Sequence, residues 1–517
     1  MKTRIFTMLI VLIFIMNSMA YAYAYAYAGV TGEQRLEYTS SEKDPVDQVR
    51  SLLEDNYVDE VSEEVLQQET IEDMLNELED PQTTHMSKEA YEDFMDSLDR
   101  TFSGIGVRFE MDPAGMMIIS VIADGPAEKA GLLPGDIITE ADGISMEGMS
   151  NEEVVSIVRG PQDTVVELEV ERNGKVKEFR VTRDEISVDY VTGETLDSEI
   201  GYIKLTSFGS DTGTLFGEKA KKLNEEKWIM DLRNNPGGYL EGARDVLGYL
   251  TPGEVALATE NQDMRINYTA MDHDFTLEDP LLVLMDRFTA SASEIVAAAL
   301  KDHEKALLLG ETSYGKGTVQ TMYELSDGSV LKMTTWHFFS PEGKAIEQKG
   351  VTPHIKLASE HLMKAAELLL SDSGHQLHID GSDYNIDLEQ ARDLEYWPSY
   401  RALLKALEKE ELWSHFYPQH EMISNLENVP SDKVYEIVFN QPIKPDTINQ
   451  DTLRLVKANT GEEIDFETNF AAEDTVEVSP RKNLSSGKEY WLKINDGIES
   501  RTGHSLKQAV IANIVVE

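Results

Sequence analysis

The spacing of apolar residues changes character several times along this chain. Over residues 44–99 they recur at helical intervals. Val46, Val49, Leu52 and Leu53 form one stripe, and Ser62 and Ser87 stand ahead of acidic residues where helix N-caps belong. The pattern predicts a small acidic helical region whose role is packing or dimerisation. From Phe102 the pattern becomes that of strands. FSGIGVRFEM reads as a strand entered through glycines. ADGPAEKAGLLPGDIITEADGISM carries turn glycines at 125, 131, 135 and 143, and NEEVVSIVRG is helical. Val166, Leu168 and Val170 alternate with glutamates ahead of Asn173-Gly174, which predicts a hairpin.

Over residues 186–355 strands and helices alternate. IGYIKL, WIMDL, LLVLMD and ALLLGE read as strands. DTGTLFGEKAKKLNEEK, ARDVLGYL and SASEIVAAALKD read as helices, and TVQTMYEL and VLKMTTWHFFS as further strands. This predicts an α/β core with a buried sheet and an active site at a strand-to-helix turn. Residues 359–425 are mixed, with a hairpin about Asp380-Gly381 and a helix introduced by Pro398. Beyond residue 433, VYEIVF, TLRLV, EEIDFET, TVEVSP, KEYWLKI and ANIVVE alternate between turns, as in a β-sandwich.

Composition narrows the functional classes. A chain of 517 residues holds about three or four domains. With 95 acidic and 46 basic residues the net charge is −49, which argues against a nucleic-acid partner. Cysteine is absent, so no disulfide framework is available. Lys2 and Arg4 precede an uncharged run at residues 5–28 that ends in an Ala-Tyr repeat. That repeat offers Ala-x-Ala cleavage sites such as Ala24-Tyr25-Ala26 and Ala26-Tyr27-Ala28. The segment reads as an export signal, and it is long enough to remain as a membrane anchor. Residues 1–28 are therefore assigned as signal or anchor, and the protein as secreted or on the outer face of a bacterial membrane or cell wall.

Three motifs in the α/β region carry chemistry: DLRNNPGG at 231–238, FTASASEI at 288–295 and GETSYGKGTVQ at 310–320. The last resembles a phosphate-binding loop through Gly310, Gly315 and Lys316. However, Gly317 stands where Ser or Thr should bind magnesium, and a strand follows instead of a helix. ATP is also scarce outside cells. Ser291 and Ser293 stand at a helix start, where an N-cap is the commonest use of serine and where developing negative charge is favoured. A nucleophile needs a base. His303 lies on the same helix and shares no motif with the serines, and no GxSxG elbow is present. A lysine can serve when burial keeps it neutral, and Lys316, between Gly315 and Gly317, is placed for that.

The segment Ser103-Gly104-Ile105-Gly106 with GPAEKAGLLPGDIITEADG resembles a PDZ domain, which binds a peptide C-terminus by strand addition and holds its carboxylate on loop amides. Followed in order by DLRNNPGG, TASASEI and GKGTVQ, it resembles the carboxy-terminal processing (tail-specific) proteases over residues 44–358. The resemblance implies a helical N-terminal region, a PDZ domain and a ClpP/crotonase-like α/β protease core, and with the C-terminal Ig-like β-sandwich expected from the strand pattern the whole is a multidomain α+β protein. It makes Ser291 the nucleophile, Lys316 the general base and Gln320 the residue that orients the lysine. Gly237 and Ala292 become the oxyanion donors. Thr289 replaces the first serine of the motif, and DPQT at 80–83 replaces DPHS, with little expected consequence for catalysis. Ser103, Gly104, Ile105 and Gly106 would bind the substrate tail, and Arg159 would couple the tail to the active site. Glu294 is expected to miss Lys316.

Expected boundaries are 29–100 for the helical region, 101–185 for the PDZ domain, 186–358 for the protease core, 359–428 for a mixed linker region and 429–517 for the sandwich. The last resembles Ig-like modules of bacterial surface-layer and cell-wall proteins. Substrates would be proteins with apolar C-terminal tails, cleaved without cofactor or metal. A homodimer and association with cell wall or membrane are compatible with this reading. The rival expectation is a catalytically inactive peptide-binding scaffold on the cell wall.

Overall fold

The computed structural model describes residues 36–37, 44–99, 101–122, 125–149, 151–172, 174–187, 189–196, 199–277 and 280–517. The expected export segment, residues 1–28, lies outside them. Among the described residues no helix is long and apolar enough to cross a membrane.

A central sheet runs in the order Val191–Leu196, Ile200–Leu205, Trp228–Asp231, Leu281–Met285, Leu307–Gly310, Ile355–Lys356. The first pair is antiparallel and the rest are parallel. Trp228–Asp231, Leu281–Met285 and Leu307–Gly310 are buried at every position, as expected of strands covered on both faces. One face packs Ile203, Met230 and Val283 against Phe216, Val246 and Val296 of the helices Thr212–Leu223, Leu240–Gly248 and Ala292–Asp302. The other packs Ile229, Leu282 and Leu309 against Leu362, Leu368 and Tyr400 of Ser359–Leu369 and Trp397–Ala406. Residues 359–416 are therefore a covering layer of the core, where the sequence pattern suggested a linker. An amphipathic helix shows its apolar face in sequence but not the surface that face covers.

A second sheet contains Thr318–Glu324, Val330–Phe339 and the hairpin Val255–Glu260/Arg265–Thr269, which the apolar pattern did not reveal. The N-terminal helices Pro45–Asn56, Glu63–Leu66 and Ile71–Leu78 bury Val49, Leu53 and Met74 on Tyr323, Leu331 and Met333 of this sheet. Strand Thr84–Met86 adds to the edge of Val330–Phe339. The helical region is thus bound into the protease core. Both expected N-caps form: Ser62 accepts from Val65 N–H at 3.4 Å and Ser87 from Ala90 N–H at 3.2 Å.

In the PDZ region a sheet runs Val107–Asp112, Gly115–Val121, Ile137–Ala141, Val165–Arg172, Lys175–Thr182, with helix Asn151–Val158 beside it. Its edge strand, Val107–Asp112, directly follows the Ser103–Gly106 loop. The C-terminal sandwich joins a four-stranded sheet to a three-stranded one. Its first strand is Glu421–Val429, paired in parallel with Val510–Val516, so the sandwich begins ahead of the expected residue 429. That strand exposes most of its alternate positions, which hid it in the sequence.

Candidate active site

At the end of Leu281–Met285 the chain turns sharply into helix Ala292–Asp302. Ser291 sits at that turn with φ 55° and ψ −119°. A residue with a Cβ pays about 1–3 kcal/mol for such a conformation and keeps it only when its surroundings enforce it. Here the enforcement is visible. Ser291 N–H donates to Glu294 Oε2 at 2.8 Å, and Ala290 N–H to Asn235 O at 3.0 Å. Ser291 is half-exposed. Ser293 is fully buried, and its Oγ donates to Asn235 O at 3.1 Å. Only Ser291 of the two is open to a substrate. His303 ends the same helix with Nε2 on Val255 O at 2.7 Å, engaged away from the serine turn. Thr289 is buried; its Oγ1 donates to Leu232 O at 2.9 Å and accepts from Asp286 N–H at 3.0 Å. The turn requires a hydroxyl there, which either serine or threonine supplies.

Glu294 connects the serine turn to the lysine loop. It is fully buried. Its Oε2 accepts from Ser291 N–H and from Lys316 N–H at 2.9 Å; its Oε1 accepts from Gly315 N–H at 2.7 Å and Ser313 Oγ at 2.5 Å. The amides of Ser291 and Lys316 therefore meet on a single carboxylate oxygen. Burial pushes the Glu294 carboxyl up, opposed by these four donors. The expectation that Glu294 would miss the lysine holds for its ammonium, with which it forms no ion pair, and fails for its backbone. Gly315, at φ 92°, passes against Lys349 and Gly350, and a Cβ on Gly317 would stand 2.3 Å from Glu347 N. The glycines are there because the loop is pressed against another segment.

Lys316 is half-buried and makes no ion pair among the described residues. Burial, helped by the Lys332 ammonium, lowers its pKa against the pull of Glu347, Asp80 and Glu294. Gln320 is on strand Thr318–Glu324, beside the bulge between Val319 and Gln320. Its Nε2 donates to Thr318 Oγ1 at 3.0 Å and to Thr334 Oγ1 at 3.4 Å, not to Lys316; Oε1 has no donor among the described residues. Thr334 in turn donates to Asp80 Oδ2 at 2.7 Å, and Thr83 Oγ1 reaches the same oxygen at 2.6 Å. The DPQT stretch thus supports the Gln320 surroundings through Asp80 and the hydroxyl of Thr83, which a serine at that position would also supply.

The oxyanion expectation needs one correction. Gly237, at φ 101°, packs so tightly on the serine turn that a Cβ would lie 2.8 Å from Ser291 Cβ. Its N–H, however, donates to Asn235 Oδ1 at 2.9 Å. The neighbouring N–H groups without an acceptor among the described residues are those of Ala292 and Gly238. Asn235 was missed in the sequence. It is fully buried, its Nδ2 donates to Leu205 O at 3.0 Å, and its carbonyl receives Ala290 and Ser293. Its place inside DLRNNPGG was the available signal. Earlier in that motif Asp231 is buried and gripped by Arg233 Nε at 2.9 Å and Tyr202 OH at 2.7 Å. Burial opposes its charge, yet Arg233 holds the carboxyl below its ordinary pKa.

In the loop expected to bind the tail, Ser103 and Gly104 pair with Glu185 and Asp184. Gly106 is at φ 75°, and the N–H groups of Ile105 and Gly106 have no partner among the described residues. Arg159 follows helix Asn151–Val158 and is exposed. Gly160 beside it makes room for the buried Arg183, whose Nε donates to Val158 O at 2.9 Å.

Comparison with known proteins agrees with this geometry. The Peptidase family S41 profile matches residues 199–357, a PDZ domain profile 117–172, a Bacterial Ig-like domain profile 422–512 and the Activating protease CtpB N-terminal domain profile 13–90. The chain is 33% identical to the Carboxy-terminal processing protease CtpB of Bacillus subtilis over 340 residues, 64% of this chain and 70% of that one. It is 33% identical to Carboxy-terminal processing protease CtpA of the same organism, over 64% of this chain and 72% of the relative. With the Carboxy-terminal-processing protease of Bartonella bacilliformis it shares 35% identity over 63% of this chain and 77% of the other.

Proposed function

Given that the chain belongs to the carboxy-terminal processing proteases, serine-type peptidases of family S41, we propose that it is an extracytoplasmic endopeptidase that captures protein C-terminal tails on its PDZ domain and cleaves by a Ser–Lys mechanism. The observation that carries this reading is the shared carboxylate. Glu294 Oε2 binds the amides of both Ser291 and Lys316, so a strained, solvent-facing serine and a lysine of lowered pKa belong to one rigid unit.

In the proposed sequence Ser291 Oγ attacks the scissile carbonyl carbon while neutral Lys316 takes the hydroxyl proton. The Ala292 N–H, with the Gly238 N–H, stabilises the oxyanion, at about 3 kcal/mol per donor. Lys316 returns the proton to the leaving amine, and water then hydrolyses the serine ester. Gln320, its NH2 committed to two threonine hydroxyls, offers Oε1 to orient the lysine. The substrate tail would add to the edge strand Val107–Asp112, with its carboxylate on the Ile105 and Gly106 amides. The uncharged segment 5–28 supports export, and the Ig-like sandwich supports a place at the cell envelope.

Degradation of a model protein with an apolar C-terminal tail tests this reading. Wild type should degrade it, and Ser291→Ala and Lys316→Ala should not. Wild-type inactivity toward every member of a tail library would favour the scaffold reading instead.

A further inference from the structure

A cavity of about 380 Å³ lies where the turn at Tyr417 meets the sandwich, lined in part by Arg392, Tyr417, His420, Arg454, Glu463 and Lys493. None of these residues belongs to the proteolytic site. Lys493 is only 8% exposed, and its Nζ forms no hydrogen bond or ion pair among the described residues. Its one close partner is the Tyr417 ring, 3.8 Å from Nζ to the centroid. Arg392 packs on the same ring at 4.7 Å, and its Nε donates to Phe416 O at 2.7 Å, while its two terminal nitrogens have no acceptor among the described residues. Lys493 also stands directly opposite Arg454 in the register of Leu453–Lys457 with Glu489–Ile494. Like charges at such a position destabilise a sheet. His420 adds a buried Nδ1 with no partner.

The available carboxylate does not balance this cluster. Glu463 is exposed and already binds Arg454 at 2.9 Å. Lys493 and Arg392 therefore have no ion pair among the described residues, Asp387 and Glu389 acting on Arg392 only from a distance, in a chain whose net charge is −49. A buried charge is retained at such cost when something of opposite charge answers it. The unanswered donors, Lys493 Nζ and the Arg392 guanidinium, come from two separate elements, which suits an acceptor with oxygens in several directions better than a flat carboxylate; His420 donates through Nε2 to Asn495 Oδ1 at 3.1 Å, so its Nδ1 is an acceptor and takes no part.

We propose that this cavity binds a phosphoryl dianion, either inorganic phosphate or the end of a phosphate monoester, between Lys493 and Arg392. The anion would accept from Lys493 Nζ and the free guanidinium nitrogens, and would relieve the repulsion between Lys493 and Arg454. Burial and the neighbouring Arg392 and Arg454 lower the Lys493 pKa to about 8, with Glu463 opposing. Among the groups facing it, His420 is held below its ordinary value chiefly by burial, and Tyr417 is pushed up to about 12. Binding should therefore weaken as pH rises above the range in which Lys493 is protonated. Because the anion itself favours the ammonium, that loss should begin above the pKa of the empty site.

The full chain should be titrated calorimetrically and by thermal unfolding with inorganic phosphate, glycerol phosphate, dimethyl phosphate and acetate. Phosphate and glycerol phosphate should bind and raise the unfolding temperature, and dimethyl phosphate and acetate should bind at least about tenfold more weakly. Binding of phosphate but not glycerol phosphate assigns the site to the free ion; binding of both assigns it to a terminal phosphoryl group. Lys493→Met and Arg392→Gln should each lose at least about tenfold in phosphate affinity. Lys493→Met, without phosphate, should unfold at the wild-type temperature or above it, since a like-charge pair is removed. Wild type that ignores millimolar phosphate, Lys493→Met that binds it as wild type does, or a preference for dimethyl phosphate would each overturn the proposal. Proteolysis of a tailed substrate by Lys493→Met is expected at the wild-type rate, so this outcome is independent of the Ser–Lys reading.

Discussion

Two buried lysines of this chain share a direction of shift and differ in everything around them. Burial lowers both Lys316 and Lys493. Around Lys316 the further influences are mixed: Lys332 lowers it, while Glu347, Asp80 and Glu294 raise it from a distance without pairing with it. Around Lys493 they are mostly cationic, Arg392 and Arg454 against one exposed glutamate. The elements differ as well. Lys316 lies on a glycine loop fastened through its own backbone to the carboxylate that also holds the serine turn. Lys493 lies one residue from the end of a strand, lining a cavity that holds no serine or threonine nucleophile. A depressed lysine is thus not a base by virtue of its pKa. Proximity to a group that must lose a proton decides it, and the folded backbone sets that proximity.

The largest test of the contrast is deletion. Ser291→Ala and Lys316→Ala should each reduce kcat by on the order of 10⁴–10⁶-fold with the fold intact by circular dichroism. Ser293→Ala, which loses only a buried hydroxyl bond, should stay within about tenfold of wild type. A dead Ser293→Ala beside an active Ser291→Ala would reverse the assignment of the nucleophile.

The next test concerns protons. Wild-type kcat/KM should rise with pH through one ionisation below the ordinary lysine value of about 10.4, because only neutral Lys316 can act as the base. Lys316→Arg should be inactive at every pH, since guanidinium keeps its proton. Lys493→Met should reproduce the wild-type profile. A flat wild-type profile would remove Lys316 from the base role.

Glu294→Gln should cost about 10–100-fold in kcat, because an amide NH2 would face N–H donors that now meet a carboxylate oxygen. Loss of the Glu294 charge should also move the kcat/KM ionisation to lower pH, as its pull favours charged Lys316. An unchanged rate and profile would show that the shared carboxylate is not needed to align the site. Thr334→Val should lower kcat by roughly tenfold with KM unchanged, and Thr334→Ser should restore it. Equal loss in both variants would point to packing instead of to the hydroxyl.

The smallest effect is on stability. Lys493 has a folded pKa of about 8, below its unfolded value, so between these values the unfolded chain binds more protons. The lysine's penalty is full below pH 8 and fades as pH rises toward 10. Denaturant titrations should show wild type gaining stability relative to Lys493→Met across that window. A constant difference would mean that the lysine is not buried in solution.

Much of this protein was legible in its residues. Strand and helix periods marked the α/β core because its central strands are, Asp231 apart, near-continuous apolar runs and its helices are apolar on one stripe. Three short motifs, through glycines and small residues that close backbone approach explains, left Ser291 or Ser293 as nucleophile and Lys316 as base, and only the family resemblance singled out Ser291 and Gln320. The hairpin at 255–269 was not legible, because half of its second strand faces solvent. Residues 359–416 looked like a linker because an amphipathic stripe does not say which surface it covers.

The sequence by itself determined the order of modules and the acidic surface, and narrowed the candidate nucleophile to two serines, since those follow from local spacing and composition. Only the tertiary structure decided which serine faces solvent, that Asn235 claims the Gly237 amide, and that Asp80 of the N-terminal region stands behind Gln320. It also decided that Arg392, Arg454 and Lys493, far apart along the chain, would line one cavity. Those outcomes depend on hydrogen bonds and burial between distant segments, and spacing along a chain carries no information about distances across it.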